Sequence, residues 1–312
     1  MDAESVQHLI SLKDWPDAEI RAVLDLAVRV KRERHLYAGS LAGRTLVMLF
    51  QKTSTRTRVS FEAAMTELGG HAIYLDWEST NFKLSRMDYE TAYLSRNAAI
   101  LMARMRLHED LLELKKGASV PLINGCCNRY HPCQAMADML TIHEHRGETK
   151  GARLTYIGVH NNVVNSLLAA CAAFEVHLTL VCPIAPPESI DAELKQKLQN
   201  LGLLSETLDA RSAVKSADYV YTDTWIDMEF FDDPSYAALK EERIALMSPY
   251  QLNEQLLESS PAFVLHDMPI HPGFEIDAEL VYSPRSLIFQ QAENRLDAQK
   301  AIILNLLRTQ WQ

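Results

Sequence analysis

The sequence predicts an α/β protein of two domains, each a mostly parallel sheet flanked by helices. Three observations carry that expectation. The chain has 312 residues, of which 47% are hydrophobic and 23% charged. This is ordinary globular composition with enough apolar mass for two cores. Short apolar runs alternate with helix-period segments along nearly the whole length, the pattern of strands joined by crossover helices. Near the middle, Gly-Glu-Thr-Lys-Gly at 147–151 interrupts the alternation, and a second series begins after it. The boundaries follow: residues 1–146 with the last helix 293–312 in one domain, residues 147–292 in the other.

The elements justify themselves in order. Residues 17–35 are an amphipathic helix, with Ile20, Val23, Leu24, Leu26 and Ala27 on one side. TLVMLF (45–50) is wholly apolar and bounded by polar residues, a buried strand. The segment after it opens on Ser and Thr and stops at Gly69-Gly70, the marks of a capped helix with a glycine stop. HAIYLD (71–76), AILMAR (99–104) and VPLING (120–125) are further strands. Residues 132–145 form a helix with Pro132 in its first turn. In the second half, strands are expected at 153–158, 177–183, 219–223, 262–267 and 287–291. Helices are expected at 162–174, 189–201, 240–258 and 293–310. The cleft between the two domains is the default site.

Composition narrows the function. A net charge of −10 from 31 basic and 41 acidic residues argues against a general nucleic-acid binder. An anionic small substrate stays open, because clustered arginines make a local positive pocket. No apolar run reaches eighteen residues, so no membrane span is expected. The opening MDAESVQHLISLKDWPDAEI lacks the basic and apolar regions of a signal peptide. The five cysteines have no zinc spacing and suit a reducing cytoplasm. Cys126, Cys127 and Cys133 lie close together, yet nothing supplies the rest of a metal site, so they are expected to be buried thiols. No metal and no cofactor are called for.

The chemistry concentrates at strand ends. Ser54-Thr55-Arg56-Thr57-Arg58 follows a buried strand and opens a helix. Helix-start N–H groups and the helix dipole favour an anion there. Arg56 adds a planar fork that suits phosphate. An N-cap with solvated arginines is the plainer reading of such a stretch, but two hydroxyl–arginine alternations at a strand-to-helix turn favour the anion site. His131-Pro132-Cys133-Gln134 lies at the end of another strand, where ligands of parallel sheets bind. His131 suits a carbonyl oxygen and Gln134 an amide; Arg104 ends a strand on the same edge. In the second half Asn161-Asn162, Asp223 through Met228, and His266-Asp267-Met268-Pro269 each follow a strand. Glu293-Asn294-Arg295 opens the last helix.

Taken together, STRTR (54–58), HPCQ (131–134), NNVVNSL (161–167), YTDTWIDM (221–228), HDMP (266–269) and AENR (292–295) resemble the aspartate/ornithine carbamoyltransferase superfamily, and more closely its ornithine branch. The resemblance covers nearly the whole chain, in the family's order. It implies a carbamoyl-phosphate-binding first domain, an amine-binding second domain and a C-terminal helix packed back on the first. The implied carbamoyl phosphate ligands are Ser54, Thr55, Arg56, Thr57, Arg104, His131 and Gln134. The implied amine ligands are Asn162, Asp223 and Met228, with Asp227, His266, Asp267 and Met268 alongside. Arg104, His131, Gln134, Asp223 and Arg295 are the residues implied to carry catalysis. It also implies a homotrimer in which the loop at about 77–87 reaches a neighbour. That loop carries Trp77 and Phe82, costly side chains to leave exposed.

The chain departs from the ornithine pattern near the amine. It reads Asp227-Met228-Glu229 where the branch has Ser-Met-Gly, and His266-Asp267-Met268-Pro269 where it has His-Cys-Leu-Pro. Its 77–85 loop is similar to that of enzymes acting on acylated ornithine. Ornithine is the first choice of acceptor, with acylornithine, putrescine or another diamine behind it. A carboxylate beside an amine favours the ammonium form, which is not a nucleophile. Asp227 and Asp267 are therefore expected to suit an acceptor with a second positive charge, or to slow transfer to ornithine. A silent phosphate-binding homologue is the alternative outside catalysis. An oxidoreductase is disfavoured because Gly158-Val-His-Asn-Asn lacks the glycine pattern for close pyrophosphate approach.

Overall fold

The computed structural model describes residues 6–226, 231 and 233–308. The chain divides into two compact units, one made of Met1–Leu140 with Asn294–Gln312, the other of Thr141–Glu293.

The first unit is built on β1 (Thr45–Phe50), β2 (His71–Asp76), β3 (Ile100–Arg104) and β4 (Leu122–Cys126), all parallel in the order β2-β1-β3-β4. β1 is central, and Leu46 through Phe50 are buried on both faces, which is why that segment reads as a continuous apolar run. The register slips between Ala103 and Arg104, so Arg104 pairs with Cys126 at the carboxyl edge. The last helix, Ile288–Leu306, returns to this unit. Asn305 donates to Glu19 at 2.9 Å, Arg34 pairs with Asp297 at 3.3 Å, and buried Lys300 bonds both Glu67 and Asp297.

The second unit carries β5 (Arg153–Val159), β6 (His177–Ile184), β7 (Leu204–Glu206), β8 (Tyr219–Thr222) and β9 (Phe263–His266), parallel in the order β7-β6-β5-β8-β9. The chain leaves β5 outward through β6 and β7, then returns to the other side of β5 with β8 and β9. The strand order therefore reverses between β5 and β8, and the crevice beyond their carboxyl ends is the place where such sheets bind ligands. Ile157, Val181, Val220 and Val264 lie in the core of this unit.

Two expected elements differ. Residues 287–291 are not a strand: Ile288 begins the C-terminal helix, with Leu287 N–H donating to the Val264 carbonyl at 2.9 Å and Gln291 Oε1 accepting the His266 N–H at 2.8 Å. A run of three apolar residues does not distinguish a strand from the start of a helix, and the helical period continues through it. Glu293-Asn294-Arg295 consequently lies inside this helix, not at its start. The helix expected at 240–258 is broken. It runs Ala237–Met247, gives way to a tight turn at Ser248–Tyr250 around Pro249, and resumes at Glu254–Leu257 under the Asn253 cap.

Candidate active site

In the first unit, the turn after β1 delivers Ser54 in an extended conformation as the cap of helix Thr55–Glu67. Its Oγ accepts the Thr57 N–H at 3.3 Å and donates to Thr57 Oγ1 at 3.1 Å. Thr57 is fully buried, and its hydroxyl is a junction. Arg295 donates to it at 2.7 Å, and Arg104 approaches at 3.5 Å. One guanidinium comes from the end of β3 and the other from two turns into the C-terminal helix. Both are thereby aimed at the start of a helix whose first N–H groups have no intrahelical acceptors.

His131 and Gln134 reach the same edge from the turn after β4. The His131 carbonyl accepts the N–H groups of Gln134 and Ala135 at 3.1 and 3.2 Å, which seats the helix Pro132–Arg146 directly behind it. His131 is buried, and that burial, reinforced by Arg295, Arg104, Lys52 and Arg56, holds its imidazole well below the usual histidine range. It is a neutral ring among four cations, able to donate one hydrogen bond and unable to carry a charge. Gln134 is oriented by its Nε2, which donates to buried Asp138 at 2.9 Å. Its buried Oε1 and the buried Nε of Arg104 have no hydrogen-bond partner among the described residues. These leave an acceptor suited to an amide –NH2 and a donor suited to a carbonyl or phosphate oxygen. Lys52 was not singled out from the sequence; its only signal was its place in the QKTSTRTR run.

Because the Thr57 hydroxyl gathers the buried Arg295 and the partly buried Arg104, Thr57→Val removes an acceptor from both. The expected cost is about 1–3 kcal/mol of stability, together with a raised KM for carbamoyl phosphate. A urea melt and initial rates on the purified variant check both.

In the second unit, Asp223 follows β8 and is 5% exposed. Asn161 Nδ2 donates to one of its oxygens at 2.7 Å and the Thr224 N–H to the other at 2.8 Å. Asn161 is itself held by capping the helix Asn162–Phe174, its Oδ1 accepting from Val163 and Val164 at 3.0 and 3.3 Å. Asn161 thus carries the contact to Asp223. Asn162 is the first residue of that helix, with its carbonyl accepting from Ser166 at 3.0 Å. Burial, then the neighbouring Asp267 charge, push Asp223 up to about 7, against the opposing pull of His266, Asn161 and the Thr224 N–H.

His266 is buried, with both ring nitrogens in use. Nδ1 accepts the Met268 N–H at 2.7 Å, which puts the ring proton on Nε2, 3.0 Å from buried Glu275. Glu275 also accepts the His271 N–H at 2.6 Å. His266 therefore positions the loop that carries Asp267 and Met268. Met268 has φ +62°, an uncommon conformation for a non-glycine residue, and is followed by a cis peptide to Pro269. Glu275 and His271 had no sequence signal, since their partners lie in a loop without periodicity. Asp227 and Met228 lie outside the described residues.

Elsewhere, Trp77 and Phe82 pack on each other with ring centroids 5.4 Å apart, and Phe82 is buried. Trp77 is partly buried, and the most exposed apolar residue of this loop is Leu84, at 84%. Cys126, Cys127 and Cys133 are buried free thiols, and burial raises Cys127 to about 11 and Cys133 to about 12. Among the described residues no group of three or more His, Cys, Asp or Glu is placed to hold a metal ion, and no helix is long and apolar enough to cross a membrane.

Residues 7–144 match the family described as aspartate/ornithine carbamoyltransferase, carbamoyl-P binding domain, and residues 150–306 match its Asp/Orn binding domain. The chain is 41% identical over 310 residues to an ornithine carbamoyltransferase of Archaeoglobus fulgidus, covering 97% of this chain and 98% of that protein. It is 39% identical over 307 residues to the ornithine carbamoyltransferase of Bacillus subtilis, covering 96% and 94%. The solved ornithine carbamoyltransferase of Pyrococcus furiosus superposes with a TM-score of 0.88 at 36% identity, covering 97% of this chain and 98% of that one.

Proposed function

The chain belongs to the aspartate/ornithine carbamoyltransferase family, and we propose that it transfers the carbamoyl group of carbamoyl phosphate to the δ-amine of ornithine, giving citrulline and phosphate. The observation that carries this is the convergence of Arg104, Arg295 and Ser54 on the buried Thr57 hydroxyl, beside a neutral His131 and an oriented Gln134.

Each residue has a role in that reaction. Ser54, Thr55, Arg56 and Thr57, with the helix start, hold the phosphate and stabilise it as it leaves. Arg104 and His131 donate to the carbonyl oxygen, which gains negative charge as the amine attacks. A neutral His131 is suited to this, because a cation among four others would be costly. Gln134 Oε1 accepts from the carbamoyl –NH2 and fixes the plane of the group. Arg295 holds the Thr57 hydroxyl and adds positive charge. Asp223, kept in place by Asn161, binds the acceptor amine, and His266 sets the loop with Asp267 and Met268. Holding both substrates together supplies a large share of the rate.

The test is an acceptor panel: ornithine, N-acetylornithine, putrescine and aspartate, each with carbamoyl phosphate. The proposal expects the highest kcat/KM with ornithine. A higher value with another amine would move the acceptor while leaving the carbamoyl phosphate site intact.

A homotrimer in the cytoplasm is part of the same proposal. In the first unit Val59, Ile73, Leu84, Tyr89 and Tyr93 are exposed, side chains that a neighbouring subunit would cover. Five free cysteines suit a reducing compartment. Light scattering should give a mass about three times the 35.3 kDa of one chain; an active monomer would refute the assembly.

A further inference from the structure

We propose that Lys300 and Glu67 are positioning residues for the carbamoyl phosphate site: their ion pair locks the C-terminal helix onto the anion-binding helix and so fixes Arg295 against Thr57. This rests on the reading above that Arg295 and Thr57 border the bound carbamoyl phosphate.

The C-terminal helix Ile288–Leu306 buries a polar face in the first unit. Asn294, Arg295, Asp297, Gln299 and Lys300 are each at most 2% exposed. An apolar stripe is the ordinary way to seat such a helix, and Ala298, Ala301, Ile302 and Ile303 supply part of one. Lysine and aspartate are almost never fully buried unless paired. A buried ion pair gains little or no net stability over apolar side chains of the same volume. What it adds is direction, because its partners must meet at hydrogen-bonding distance and angle.

The bonds fall on two points of one partner helix. Arg295 donates to Thr57 Oγ1 at 2.7 Å, in the first turn of helix Thr55–Glu67. Lys300 Nζ donates to the carboxylate of Glu67, the last residue of that helix. Thr57 and Glu67 stand about 15 Å apart along the helix axis. Held at both points, the C-terminal helix can neither slide nor rotate against the helix start that receives the phosphate. With the Thr57 contact alone, the Arg295 guanidinium would be held only through its own flexible stem.

The charges around Lys300 are matched. Its Nζ also donates to fully buried Asp297 at 3.0 Å, and Asp297 accepts from Arg34 at 3.3 Å. Lys31 donates to Asn294 at 2.5 Å. Lys31 and Arg34 thus tie the C-terminal helix to the N-terminal segment, whereas Lys300 ties it to the helix that carries Thr57. Neither Lys300 nor Glu67 is a catalytic residue; both act through Arg295.

The test compares Lys300→Met and Glu67→Ala with wild type, each with and without Arg295→Ala. The Glu67 side chain is 39% exposed, and its removal leaves Lys300 paired with Asp297, so Glu67→Ala opens the link in a folded chain. KM for carbamoyl phosphate should rise about tenfold in Lys300→Met and severalfold in Glu67→Ala, because a small displacement of a substrate-holding group costs that much. KM for ornithine at saturating carbamoyl phosphate should stay as in wild type, which a general loosening of the fold would not allow. In the Arg295→Ala background, Glu67→Ala should add nothing, since the group it positions is gone. Calorimetry with phosphonoacetamide, a stable isostere of carbamoyl phosphate, gives the same comparison without turnover. Glu67→Ala decides alone if Lys300→Met does not fold. Wild-type affinity in Glu67→Ala, or an equal loss with and without Arg295, overturns the proposal. If Arg295→Ala weakens phosphonoacetamide binding while Glu67→Ala does not, the carbamoyl phosphate reading stands and the positioning role falls. If Arg295→Ala binds it as wild type does, that reading of Arg295 falls and the positioning role with it.

Discussion

Replacing Arg56 with alanine lowers carbamoyl transfer by roughly one to two orders of magnitude, while the thermal melt moves little. Arg56 is the second residue of the helix capped by Ser54. Its charge is one of four that act on buried His131, so it faces the same volume as Arg104 and Arg295. A charge-assisted contact to phosphate contributes about 1.5–3 kcal/mol. The leaving phosphate gains charge in the transition state, so part of that contribution appears in kcat as well as in KM. Arg56 is half-exposed and Thr57 is held by Ser54, Arg104 and Arg295 without it. Stability should therefore change by no more than about 0.5 kcal/mol. Initial rates with varied carbamoyl phosphate, run beside a melt, check both halves. Wild-type kcat and KM in the variant would place the phosphate elsewhere.

His131→Phe should lose transfer by about 10²–10³-fold, the usual cost of removing a donor to a developing oxyanion. It also has a stability signature with a definite sign. Burial and the surrounding cations keep His131 neutral in the folded chain, whereas in the unfolded chain it protonates near pH 6.5. The unfolded state therefore binds the extra proton first. The stability associated with a neutral His131 is present above about pH 6.5 and is lost as pH falls below it. Phenylalanine has no such proton. The stability of His131→Phe relative to wild type should thus rise between pH 7.5 and pH 5.5, measured by urea unfolding. His8, His108 and His160 are also lowered by burial, but they are common to both proteins and cancel in the difference. A difference that does not change with pH would mean that the fold leaves the protonation of His131 as it is in the unfolded chain, and a fall would mean that the fold favours its charged form.

The parts of this chain legible in its sequence are those governed by local rules. β1 is recognisable because a strand buried on both faces must be apolar throughout. Ser54 and Asn161 are recognisable because a helix start needs an acceptor for its orphan N–H groups. The position of STRTR and HPCQ at strand ends follows from those two facts. What was not legible depends on distance along the chain. Arg295 reaches Thr57 across 238 residues, and only family resemblance pointed to it; the local pattern put it at a helix start, when it lies two turns inside. The His266–Glu275–His271 set is built from an aperiodic loop, and β7, at three residues, is too short to carry an alternation. LIFQQ misleads because three apolar residues in a row look like a strand, whereas Leu287 and Ile288 are buried and Phe289 is exposed as the helix begins.

The most direct measurement follows the carbamoyl carbon itself. Carbamoyl phosphate labelled with carbon-13 at its carbonyl is mixed with ornithine and the purified protein, and the label is observed by NMR as phosphate is released. The account predicts that the label appears in the ureido carbon of citrulline, one equivalent for each phosphate formed, and that Arg56→Ala and His131→Phe both suppress it. Phosphate released with the label passing only to bicarbonate, or no turnover of a folded protein with any amine, would contradict it.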